Sequence, residues 1–149
     1  MKIRILALEI IYILFILLFT YAAVSKLVDF QKFTVQLGQS PILTAIAGVV
    51  AWIVPAIELL IVFMLSLVRF RLLGLYASFS LMIMFTVYII LITHFSEYIP
   101  CSCGGILENM TWNQHLLFNC AFILMALISI LLSSEPLHKT KSLSQAKTQ

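Results

Sequence analysis

Four long apolar runs separated by short polar segments organise this chain, at about residues 5–24, 43–67, 72–93 and 112–132. Each is close to the roughly 20 residues that cross a bilayer core at a helical rise of about 1.5 Å per residue. None alternates polar and apolar positions as the strands of a membrane barrel do. The pattern predicts an all-α integral membrane protein, a four-helix transmembrane bundle. Between the first two runs the pattern changes. Phe30, Phe33 and Leu37 recur at spacings of three and four, which predicts a short amphipathic outer connector with one face on the membrane surface. Thr111 and Gln114 have capping-box spacing at the start of the fourth helix, and Trp112 suits the interface there. Residues 1–133 are expected to form the transmembrane domain, and residues 134–149 a disordered cytoplasmic tail.

Composition agrees with a membrane chain. Of its 149 residues 62% are hydrophobic and 10% charged, against about 25% charged in soluble domains. A soluble fold this small could not hide so much apolar surface. The net charge of +3 is modest, and the basic residues cluster at the ends of the runs. That distribution speaks of membrane orientation and not of nucleic acid. Lys2, Arg4, Arg69, Arg71, Lys139, Lys141 and Lys147 fall on one side of the bilayer, and Lys26 and Lys32 on the other. The bias places both termini in the cytoplasm and the loop over about residues 94–111 outside. A cleaved signal peptide is the competing reading of the first run, with Ala22 and Ala23 at its end. The run is long for the apolar core of such a peptide, about 7–15 residues.

The candidate chemistry centres on that loop, at Cys101-Ser102-Cys103-Gly104-Gly105. Two cysteines one residue apart can close a strained, readily reduced disulfide, and the glycines permit the tight turn. An oxidising outer space suits such chemistry. Glu97 and Glu108 oppose a thiolate there, whereas His94, His115 and the start of the fourth helix favour one. A static disulfide that pins the loop is the plain alternative. His94, Cys101, Cys103 and His115 would also make a four-ligand metal set, but C-x-C departs from the usual zinc spacing and no metal is assigned. Cys120 lies below the loop on the fourth helix. It either relays electrons towards a bound quinone or is simply a small packed residue. Asn113 and Asn119 are expected to hydrogen-bond between helices or at the interface.

Two carboxylates lie inside the runs. Glu58, three residues after Pro55, must face the bundle interior, since an ionisable group in a span costs about 2.5–3.5 kcal/mol. Glu9 sits in the first run. No basic partner lies in the spans, so the two carboxyls could meet, as a buried polar clamp or a proton-handling pair. Ala47, Ala51, Gly74 and Ser78 have the small-residue spacing of close helix packing.

Taken together, "AAVSKLVDF" after the first span, Pro55 and Glu58 in the second, and "CSCGG" before "TWNQHLLFN" resemble the DoxX-like membrane family and, within it, the MauE branch. Ser25, Lys26 and Asp29 match the family's first-loop pattern and Glu58 its second-helix acid. The resemblance covers about residues 21–132. It implies a four-helix bundle in a bacterial cytoplasmic membrane, associated with maturation and disulfide formation of exported proteins. The architecture is also similar to vitamin K epoxide reductase and DsbB-type enzymes, which pass electrons from thiols to quinone. The C-x-C motif and the lack of a second outer cysteine pair depart from those enzymes.

The leading expectation is a membrane thiol–disulfide component, of the thiol-disulfide oxidoreductase kind, serving a thioredoxin-like or exported cysteine-containing partner. Cys101 and Cys103 would exchange disulfides, with Lys26, His94 and His115 shaping the outer site and room for a quinone beneath. The alternatives are a non-catalytic subunit or maturation chaperone with a structural loop disulfide, and a small transporter using Glu58.

Overall fold

The computed structural model describes residues 2–39, 43–95 and 111–134. They form five α-helices: α1 (Lys2–Val28), α2 (Phe30–Gly38), α3 (Ala47–Ser66), α4 (Arg71–Phe95) and α5 (Trp112–Ser134). Single 3₁₀ turns, Thr44–Ile46 and Val68–Phe70, lead into α3 and α4. No strand occurs among the described residues. Four helical stretches are long and apolar enough to cross a membrane: Ile3–Val28, Thr44–Ser66, Val68–His94 and Asn113–Ser133. The loop with Cys101 and Cys103, and the tail from residue 135 onward, lie outside the described residues.

The four long helices alternate in direction. α1 packs along α3, α4 along α5, and α3 against α4, while α1 and α5 close the ring. The perimeter is apolar throughout: Trp52, Phe63, Leu117 and Leu131 are all exposed. So continuous an apolar surface belongs in lipid, and the chain is a multi-pass membrane protein. Three hydroxyls of α4 find their acceptors on their own helix. Ser78 donates to the Gly74 carbonyl, Thr86 to Met82 and Thr93 to Ile89, each at 2.8 Å.

The interior has two apolar clusters. The larger joins Phe15 and Phe19 of α1 to Ile61 and Leu65 of α3, with Leu75 of α4 and Ala126 of α5. The smaller lies at the opposite end, where Phe33 and Leu37 of α2 pack on Ala47, Ala51 and Val54 of α3. The apolar face of the connector therefore covers the bundle, where the sequence pattern had suggested the membrane surface. A helical period identifies an apolar face but not what covers it. Phe30, at the edge of that face, tilts against Trp52 of α3 with ring centroids 4.7 Å apart.

Three contacts gather the end of the bundle that carries both termini. Arg4 donates to the Leu132 carbonyl near the end of α5, satisfying one of the acceptors a helix leaves open there. The Tyr12 hydroxyl lies 3.3 Å from Ser133 Oγ. Arg71 of α4 pairs with Glu9 of α1 and lies over the Tyr12 ring, 4.8 Å from its centroid. At the other end, α5 starts with a reciprocal cap. The Thr111 amide donates to Gln114 Oε1 at 3.0 Å, and the Gln114 amide to Thr111 Oγ1 at 3.4 Å.

At Gly74, α4 lies close against α3. A Cβ there would lie 2.9 Å from Leu65 Cδ2 and 3.2 Å from the Leu65 amide nitrogen, and Leu65 is fully buried. Gly74→Ala should thus destabilise the bundle by about 1–3 kcal/mol through overpacking, and Gly74→Val by more. Thermal unfolding in mild detergent measures both; an unchanged midpoint for Gly74→Val would mean that the helices do not meet there.

Candidate functional site

Two buried stripes, one on each of two neighbouring helices, build the site. On α1 the residues at spacings of four, three and four are Phe15, Phe19, Ala22 and Lys26; on α3 the corresponding stripe holds Ala51, Val54, Glu58, Ile61 and Leu65. All are buried, so the apolar periodicity that makes these helices pack also carries an ammonium and a carboxylate inside. They meet. Lys26 Nζ donates to Glu58 Oε1 at 2.8 Å, with the side chains 5% and 0% exposed.

The direction of the lysine follows from helix geometry. Side chains tilt towards the helix N-terminus, so Lys26, near the C-terminal end of α1, reaches back into the bundle. Its Nζ also donates to the Ala22 carbonyl at 3.2 Å. The rings of Phe33 and Phe85 lie 5.9 and 5.8 Å from Nζ, within cation–π range. The connector α2 thus supplies Phe33 both to the apolar cluster and to the ammonium. Pro55 lies one turn before Glu58 on the buried face of α3 and lacks the N–H that would bond the Ala51 carbonyl.

Glu58 falls between the two apolar clusters, and so does a cavity of about 360 Å³. Its lining is mainly apolar and aromatic, drawn from all five helices, with Lys26, Glu58, His115 and Asn119 as polar members. His115 and Asn119 are four residues apart on α5 and both are buried. The second carboxylate oxygen of Glu58, Oε2, and the amide nitrogen of Asn119, Nδ2, are buried with no hydrogen-bond partner.

Several sequence expectations take a different form here. Glu58 and Glu9 do not meet. Glu58 pairs with Lys26 and Glu9 with Arg71, and the two cations belong to opposite ends of the bundle. Lys26 had been read as a marker of the outer surface, so its carboxylate partner went unrecognised. Glu9 is not deeply buried; its side chain is 44% exposed. Asn119 makes no hydrogen bond through Nδ2. Cys120 is exposed and does not line the cavity, because one residue beyond Asn119 the helix has turned it about 100° away. His94 is exposed near the end of α4 and is likewise not part of the cavity wall. Among the described residues no three His, Cys, Asp or Glu side chains gather as metal ligands. Cys101 and Cys103 lie outside those residues.

The profile of the family described as Methylamine utilisation protein MauE matches residues 4–132. That span takes in all four membrane helices, the connector and the cysteine motif. No curated protein and no solved structure matches the chain.

Removing one member of the ion pair leaves its partner as an uncompensated buried charge, a loss of about 3–5 kcal/mol. Lys26→Met and Glu58→Leu should each destabilise the bundle on that scale, and the double variant should recover most of the loss. A double-mutant cycle on detergent-solubilised protein checks this. Strictly additive losses would show that the two side chains do not interact.

Proposed function

The chain belongs to the MauE family, and from that premise we propose that it is a membrane component for redox maturation of an exported or thioredoxin-like partner protein. Cys101 and Cys103 exchange the disulfide. A partner thiolate attacks one sulfur of the Cys101–Cys103 disulfide, and the other leaves as a thiolate and takes up a proton. The partner's second thiolate then attacks the mixed disulfide. The partner is oxidised by two electrons and the loop pair is reduced. The family description connects this work with methylamine utilisation.

The observation that carries the proposal is the anchoring of the cysteine segment. It leaves α4 at Phe95 and enters α5 at Trp112, and these two helices pack along each other. The reciprocal Thr111–Gln114 cap closes the return. The motif is therefore tethered at the end of the bundle that holds α2, Lys26 and His115.

In this reading the membrane is a bacterial cytoplasmic membrane, the termini face the cytoplasm, and the cysteine loop faces the oxidising side. The ion pair supports that orientation. Lys26 is neutralised inside the bundle and drops out of the count of loop charges. With Arg71, paired to Glu9, left out on the same ground, the count is Lys32 on this side and six basic residues on the other.

Trapping tests the exchange. In a Cys120→Ala background, the intact Cys101–Cys103 pair should accumulate a mixed disulfide with a partner whose second cysteine is replaced by serine, seen on non-reducing gels, and Cys101→Ser, Cys103→Ser or both should abolish it. A double variant that still supports full partner maturation would rule out the exchange and leave a structural loop. Membrane-impermeant maleimide, applied to intact cells after reduction, should label Cys101 and Cys103; labelling only after lysis would invert the orientation.

A further inference from the structure

Two of the four buried side-chain atoms without a hydrogen-bond partner among the described residues belong to residues that line this cavity, and they are of opposite character. Glu58 Oε2 accepts and Asn119 Nδ2 donates. Their residues are 0% and 3% exposed, and they reach the cavity from different helices, α3 and α5. Within a lipid-embedded bundle no bulk water replaces a missing partner, so both atoms call for one. The remaining wall is largely apolar, with Leu18, Val54, Met82, Ile89 and Phe118 among its members. The volume of about 360 Å³ falls in the range of about 300–1,000 Å³ found for small-molecule sites.

We infer that this cavity binds an uncharged, lipid-soluble molecule with a hydroxyl head. A hydroxyl is the smallest group that answers both atoms, its O–H donating to Glu58 Oε2 and its oxygen accepting from the Asn119 amide. The head is uncharged because Lys26 and Glu58 already neutralise each other at 2.8 Å, and a further charge would be buried without a counterion. The body is apolar because the wall is. Entry is from the bilayer: Ile53 and Ile57 of α3 and Met84 of α4 line the cavity and are also exposed on the apolar perimeter. None of this depends on the cysteine exchange.

The test uses the full chain in lipid nanodiscs with three probes. They are a para-alkylphenol, a straight-chain alcohol of the same carbon count, and the matching alkylbenzene without a hydroxyl. At least one hydroxyl probe should bind saturably and raise the unfolding midpoint, and the alkylbenzene should bind about tenfold more weakly, the equivalent of one lost hydrogen bond. The stronger of the two hydroxyl probes identifies an aromatic or an aliphatic ligand. Asn119→Leu should reduce the preference for the hydroxyl, leaving the share due to Glu58, and Asn119→Ala makes the same comparison if leucine overfills the space. A diazirine-tagged form of the tighter hydroxyl probe should label Val54, Met82 or Phe85. Equal binding of phenol and alkylbenzene, no saturable binding of any probe, or labelling confined to perimeter residues such as Leu117 and Leu124 would each overturn the inference.

Discussion

A charged pair enclosed by a bundle in hydrocarbon constrains nearly everything around it. The Lys26–Glu58 contact places an ammonium and a carboxylate where neither could stay alone, since an isolated charge in a span carries a penalty of several kcal/mol. It sets the rotation of α1 and α3 about their own axes, because only one face of each helix brings the charges together. It also explains the connector. α2 is drawn over the end of the bundle, where Phe33 joins Phe85 in flanking the ammonium. The apolar packing of Phe33 and Leu37 on α3 then serves two purposes, closing one end of the interior and excluding competing water from the pair.

The pair also accounts for a break in the packing. Apolar side chains fill the interior on either side of Glu58, but the carboxylate offers two oxygens and Lys26 occupies one. Glu58 and Asn119, which carries an unmet donor, both line an enclosed space with mostly apolar walls. Dense packing continues away from it, in the edge-to-face contact of Phe15 and Phe122 at 5.3 Å. The gap is thus local to the polar groups and not a general looseness of the bundle.

Much of this was legible in the sequence, because in lipid the length of an apolar run translates almost directly into a helix. The second span, expected at 43–67, is Thr44–Ser66. The first is longer than its run suggested, reaching Val28, because its edge had been drawn where polar residues begin. The capping box at Thr111 forms as its spacing predicts, and Glu58 faces inward as its charge requires. The partner of Glu58 was missed, although its signal was present. Lys26 continues the stripe of Phe15, Phe19 and Ala22, which a helical-period reading carried through the polar boundary would have found. Counting it as a loop charge hid it. The Asn119 position is legible in the same way, four residues beyond His115, but the cavity beside it depends on five helices at once and no single periodicity encodes it.

The separation of Lys26 and Glu58 along the chain, on helices that are made one after the other, bears on biogenesis. When α1 first enters the bilayer, the carboxylate that will neutralise its lysine has not yet been inserted. During that interval the ammonium is best accommodated among the lipid headgroups, by extension towards water. Arrival of α3 allows it to swing back into the interior. The first helix therefore reaches its final depth late, and correct assembly of this protein is gated by the insertion of its second membrane-crossing segment.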